Sequence, residues 1–194
     1  MSRFTARLNM FASRLVSASG GVKPPELLLV WHSRSGLARQ MAEHMEAGAL
    51  GAAEAMDSPL VVNTRRAADA TIDDVLRADG YLFCAPENLA STSGAMLEFF
   101  HSTYYHAFDD EESSLLLGRP FGLAIAAGSD GTNAAKQIER ICTGWRLKQV
   151  ADTFVNASSV EQTKANILAE KACEPLAAER CAEIGGLVAA TVLL

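Results

Sequence analysis

Residues 27–31 (LLLVW), followed by a Ser/Gly turn and then by a helical pattern, constrain the fold of this chain more than any other segment. An unbroken apolar strand has both faces covered, which is the condition of a strand inside a parallel sheet with helices above and below it. The turn reads Ser33-Arg34-Ser35-Gly36, and Leu37, Met41 and Met45 then recur at helical spacing. A helix that starts directly after a strand presents first-turn N–H groups without intrahelical partners, and its dipole favours negative charge there. The side chains of Ser33, Arg34 and Ser35, with the backbone of Gly36, Leu37 and Ala38, are therefore a candidate anion site. His32 beside them reads as a residue that supports the turn.

The same alternation continues along the chain. Strands are expected at 59–63, 81–84, 121–127 and 150–156, and helices at 36–50, 71–77, 94–105, 133–144 and 161–187 or beyond. Thr71 reads as the cap of the second helix, with acids in its first turn. Five strands alternating with five helices through right-handed crossovers make an α/β fold, a three-layer doubly wound five-stranded parallel sheet of order 2-1-3-4-5. At 194 residues, with 49% hydrophobic and 21% charged positions, the chain has enough apolar material for one sizeable core.

Charge and cysteine usage narrow the function. A net charge of −6 argues against a general nucleic-acid binder. No apolar run approaches the ~20 residues that span a bilayer. Residues 1–25 form a basic N-terminal extension, with Arg3, Arg7, Arg14 and Lys23 and no acid. They suit an arm on the domain or an organelle transit peptide, and the prolines at 24 and 25 mark the start of the domain. Cys84, Cys142, Cys173 and Cys181 show no CxxC spacing and read as buried free thiols of a reducing, cytoplasmic compartment.

In a doubly wound sheet, ligands gather beyond the carboxyl ends of the strands where strand order reverses. Two further loops belong to that rim. The loop after the third strand holds Pro86, Glu87, Asn88, Leu89, Ala90 and Gly94, with Pro86 expected to fix a turn and the Ser/Thr run to cap the next helix. Such a mix offers backbone donors to the edge of a flat heteroaromatic ring and a rigid wall to its face. The loop after the fourth strand holds Gly128, Asp130 and Gly131, where glycine permits close approach and Thr132 or Asn133 is expected to cap the fourth helix. Competing chemistries fail at defined positions. No carboxylate ends the first strand to hold a divalent metal, no cysteine lies in residues 1–83, and GxxxxGK[ST], GxGxxG and GxSxG are all absent.

Residues 27–155 resemble the flavodoxin-like superfamily, in its NAD(P)H-dependent FMN reductase branch. SRSGLA (33–38) is similar to that family's S/T-x-S/T-G-x-T phosphate loop, with Ala38 in place of the last threonine. PENLASTSGAMLEFF (86–100) resembles the stretch beside the isoalloxazine ring, and AAGSDGTNAAKQIERICTGWRL (126–147) the segment with the third flavin-facing loop. The resemblance implies that residues 26–194 are one FMN-binding domain. It implies an oxidoreductase that takes hydride from NADH or NADPH at flavin N5 and passes it to a small acceptor such as a quinone, free flavin, nitro or azo compound. N–H groups around Asn88–Ala90 would face the ring's pyrimidine edge, with no protein side chain as catalytic acid or base. It also implies a homodimer or homotetramer. A flavodoxin-type electron carrier and a flavin-free binding relative remain as alternatives. Arg65 and Arg66 are candidates for the extra phosphate of NADPH. Trp145 reads as core, and the acids at 109–112 as a solvated loop.

Overall fold

A computed structural model describes residues 23–158 and 160–194 of the protein. Most of the basic extension at 1–25 lies outside them. The elements in chain order are β1 (Glu26–Trp31), α1 (Leu37–Ala55), β2 (Val61–Arg66), α2 (Ile72–Arg77), β3 (Gly80–Asn88), β4 (Ser91–Thr92) and α3 (Gly94–Thr103). A 3-10 turn (Tyr105–Ala107), β5 (Pro120–Ala127), α4 (Thr132–Gly144), β6 (Lys148–Gln149), β7 (Phe154–Ala157), α5 (Lys164–Leu168) and α6 (Pro175–Leu193) follow. The main sheet is parallel, in the order β2-β1-β3-β5-β6, with β7 also on the outer edge of β5. The short β4 turns back antiparallel on the end of β3.

Side-chain alternation divides the core between the two faces of this sheet. Leu28, Val30, Tyr81, Phe83, Leu123 and Ile125 pack with Val75 of α2, Met96, Phe99 and Phe100 of α3, Ile138 of α4 and the fully buried Trp145. Leu27, Leu29, Leu82, Cys84 and Ala124 face the other way, onto Met41 and Met45 of α1 and Cys181, Ile184 and Val188 of α6. The continuous apolar reading of β1 thus follows from its central place, with both faces covered. Among the described residues no helix is long and apolar enough to cross a membrane.

Several boundaries differ from the sequence expectation. The second strand runs through Thr64, Arg65 and Arg66, pairing Glu26 with Val61 through to Trp31 with Arg66. It is an edge strand and half-exposed, so polar residues are tolerated where apolar ones were sought. The fifth strand is split, because the Gln149 amide donates to Ala151 O and Thr153 Oγ1, both at 3.0 Å, and diverts the chain between β6 and β7. The expected closing helix at 161–187 is two helices. Pro175 has no N–H to bond back along a helix, so it stands in the first turn of α6, and α5 ends seven residues earlier, at Leu168. The first helix continues to Ala55, and the third ends at Thr103, short of the 3-10 turn at Tyr105–Ala107. Cys84, Cys142 and Cys181 are buried, whereas Cys173 is half-exposed.

Candidate functional site

The first loop leaves the sheet when β1 runs out. His32 N–H still donates to Cys84 O at 3.1 Å, after which the chain turns away and enters α1. The turn requires Gly36, whose φ of 86° lies in the left-handed region. No side chain caps α1, so its first-turn N–H groups are left facing the loop. Ser33, Arg34, Ser35 and Gly36 line a cavity of about 480 Å³ together with Trp31 of β1, Arg39 of α1, Arg66 of β2 and Glu170. Arg39 pairs with Glu43 at 3.1 Å, and the Arg66 guanidinium lies 5.9 Å over the Trp31 ring. Neither Arg34 nor Arg66 has a carboxylate in ion-pair range among the described residues. Burial, reinforced by Arg34 and Arg66, pushes His32 below its ordinary pKa, so it is neutral at pH 7 and the positive charge here belongs to arginine. Leu37 and Ala38 turn their side chains into the core, at 7% and 1% exposure, and can meet an anion only through their backbone.

The second and third loops are joined to each other. Pro86 corrects the expectation of a turn. It is buried inside β3, paired with Ala126 of β5. Its edge toward β1 lies beyond Trp31, the last residue of β1 to pair with β3, so the missing N–H breaks no ladder bond. The turn falls instead at Leu89 and Ala90, with φ of 51° and 57°, which makes 87–92 a tight hairpin. The Glu87 carboxylate accepts from Ser129 N–H at 3.0 Å and from Ser129 Oγ at 3.0 and 3.2 Å. Gln137 Oε1 accepts from Ser91 Oγ and Thr92 N–H, both at 2.8 Å, and Asn133 donates to Ala90 O. The helix after the third loop has Gly131 at its cap position, not Thr132 or Asn133 as expected, and the Asp130 carboxylate before it accepts from Thr132 N–H at 2.7 Å. Gly131 sits at φ 66°, and a Cβ there would lie 2.5 Å from Val155. Gly94 opens α3 and is exposed, behind Ser93, whose hydroxyl accepts from Met96 N–H.

Sequence reasoning missed the segment before α6. Lys171 N–H donates to Ser35 O at 2.8 Å. Gln40 of α1 holds the same strap from both sides, its amide donating to Lys171 O at 2.8 Å and accepting from Cys173 N–H at 2.9 Å. The two Gln40 contacts span 131 and 133 positions and leave no local signal. Pro175, which forces a break just there, was the available clue. Arg66 was visible as part of a basic pair after the second strand. Its partner Arg65 lies instead 3.6 Å from Asp74, away from the cavity.

No family model matches the chain, and no curated protein matches it. Solved structures do. An archaeal flavodoxin superposes with a TM-score of 0.65 at 14% identity, over 86% of this chain and 98% of that one. An oxidoreductase from Corynebacterium diphtheriae gives 0.61 at 18% identity, over 88% and 98%. The apo form of the NADH:FMN oxidoreductase EMOB gives 0.61 at 15% identity, over 86% and 89%. The fold is flavodoxin-like. Within this flavodoxin-like sheet, the first loop lies at the switch point, where β1 is flanked by β2 on one side and β3 on the other. Hydroxyls, uncapped N–H groups and unpaired guanidinium fit a phosphate monoester there. Thr92 Oγ1, in the short β4, is buried without a hydrogen-bond partner among the described residues.

Proposed function

We propose that this protein is an FMN-dependent oxidoreductase that takes hydride from NADH or NADPH and passes it to a small acceptor. The observation that carries the reading is the cavity beyond the end of β1, lined by Ser33, Arg34, Ser35 and Gly36 at the uncapped start of α1. FMN, when bound, supplies two-electron exchange at its N5. The protein's own residues supply the rest. Ser33 and Ser35 donate hydroxyls to the phosphate, the N–H groups of Gly36, Leu37 and Ala38 add the helix terminus, and Arg34 neutralises charge. Gly128, Asp130 and Gly131 border the ribityl chain. The Pro86–Ala90 hairpin forms the wall for the ring, with Asn88–Ala90 offering backbone groups to its edge. No side chain at this rim is required to move a proton.

Support comes from the fold and from the chemistry of the rim, and the test is direct. Anaerobic titration with FMN, followed by NADH and by NADPH, reads cofactor and donor together. The expected result is quenched flavin fluorescence on binding and bleaching by at least one nicotinamide. The double variant S33A/S35A removes two charge-assisted hydrogen bonds. It is expected to weaken FMN binding by about 2–3 kcal/mol, roughly a hundredfold in Kd. An unchanged Kd would overturn the assignment of this loop, and bleaching only with an added reductase protein would make the chain an electron carrier.

A further inference from the structure

The connection from α3 to β5 and the end of α4 form a second surface with a charge pattern of its own. Both segments lead into strands, β5 at Pro120 and β6 at Lys148, so they lie at the amino ends of the parallel sheet, on the opposite edge from the first loop. They are tied together there. Ser114 Oγ donates to Trp145 O at 2.5 Å, and Gly118 N–H to Arg146 O at 2.8 Å. Beside these bonds is a cavity of about 580 Å³ whose lining includes Tyr104, Phe108, Ile141, Arg140 and Arg146. Apolar side chains continue outside it. Tyr105 packs edge-on against Tyr104 and is 81% exposed, and Leu115 and Leu117, on either side of the buried Leu116, are exposed as well. Leu115 N–H donates to Ala107 O at 2.9 Å, which sets the leucines beside the turn that carries Tyr105. Large apolar side chains gathered in water in this way mark a surface that another molecule covers.

The charges around this patch show what that molecule is. Phe108 leads directly into Asp109, Asp110, Glu111 and Glu112, a loop closed by the bridge between Phe108 and Ser114. Asp109 serves the loop itself, its Oδ1 accepting from Glu111 N–H at 3.0 Å and from Ser113 N–H at 2.8 Å. Asp110, Glu111 and Glu112 are exposed and, among the described residues, have no cation in ion-pair range. Arg140 and Arg146 are exposed too and have no carboxylate in range among those residues. An acidic loop and a basic, aromatic-walled groove thus share Phe108 without pairing inside the chain. Each is the complement of the other in a second copy, and a twofold axis brings loop to groove twice.

We infer that this edge is the interface of a homodimer, in which Asp110, Glu111 and Glu112 of each chain meet Arg140 and Arg146 of the other around a centre of Tyr105, Leu115 and Leu117. An aromatic and aliphatic centre with charges at its margin is the ordinary anatomy of a protein–protein contact. The interface goes beyond the flavin reading and does not depend on it. Sedimentation velocity of the full chain tests it. The parent is expected to be a dimer at about 100 μM, with a Kd that rises roughly tenfold between about 0.05 and 0.5 M NaCl as the paired charges are screened. R140E/R146E sets acid against acid and D110K/E111K sets base against base, so each variant alone is expected to be monomeric. Mixed in equal amounts, the two are expected to form a heterodimer, because every contact across the axis again joins opposite charges. Only folded chains that meet through these residues can do so. A monomeric parent, a dimer that survives R140E/R146E, or a mixture that stays monomeric overturns the interface. So does a parent dimer whose Kd is indifferent to salt, a measurement that needs neither variant.

Discussion

Asp74 stands in the first turn of α2 with 4% of its surface exposed, and its carboxylate is surrounded by donors. Burial works against its charge, yet hydrogen bonds from Thr71 N–H and Oγ1, Asn63 and Arg77 hold its pKa down to about 2. Glu26 next to it, bonded to Arg77 and Lys23, is lowered as well. A folded-state pKa below the ordinary value of 3.8 means that the stabilisation is complete above about pH 4 and is lost as pH falls toward 2. The Asp74 share is on the order of 2 kcal/mol. In D74N, urea unfolding at pH 7 is expected to show most of that loss, and the slope of stability between pH 4 and pH 2 to be shallower than in the parent. Equal slopes would show that Asp74 does not drive the acid limb. The Thr71 cap was legible because a cap and its acids lie within four residues of each other. So was the turn between β1 and α1, since Ser33 to Gly36 are contiguous. Arg77 bonding to Glu26, 51 positions away, was not, because no local pattern encodes that partnership.

Between elements, the tightest fit is the crossing of α1 and α6. A Cβ on Gly48 would lie 1.9 Å from Ala182 O, and one on Gly185 1.9 Å from Met45 O, so these helices touch backbone to backbone. Neither helix can yield without repacking the core face it covers. G48A or G185A is therefore expected to cost roughly 3 kcal/mol, measured as a lower urea midpoint at unchanged slope. Gly51, whose Cβ would meet nothing, supplies the control, since G51A should gain stability through helix propensity. The hairpin at 87–92 gives a prediction of opposite sign. Ala90 holds φ 57° without being glycine, which strains it, so A90G is expected to stabilise by about 0.5–1 kcal/mol, read as a higher Tm. This hairpin was hidden in the sequence for the same reason. Turns of this handedness are read from Asn-Gly or Asp-Gly, and Leu89-Ala90 carries neither signal. Pro86 pointed the other way, because a proline inside a strand looks like a turn until the neighbouring strand is known to have ended.

Across the whole molecule, the layers and strand order were legible because each buried strand is an apolar run and each helix opens on a turn signal, so local pattern and global topology agree. The edges were not legible. β6 is exposed and β2 and β7 are partly so, and their polar residues are fixed by pairing with β1 or β5 and not by their own composition. The chain's closing segment shows what that costs a reading from sequence, since Lys171 and Cys173 are held by Ser35 and by Gln40 of α1 and not by a helix of their own. The clamp through Gln40 ties the two ends of the described domain at the proposed site, and its removal is expected to act locally. In Q40A, Cys173 N–H loses its acceptor and Lys171 O its donor. Hydrogen exchange at the amides of Lys171 and Cys173 should accelerate at least tenfold, the equivalent of about 1.4 kcal/mol of local opening, while amides of β3 such as Leu82 keep their protection. Acceleration throughout the sheet would mean that the strap is part of the global folding unit. No acceleration at Lys171 would mean that its bond to Ser35 alone suffices to hold the strap over the first loop.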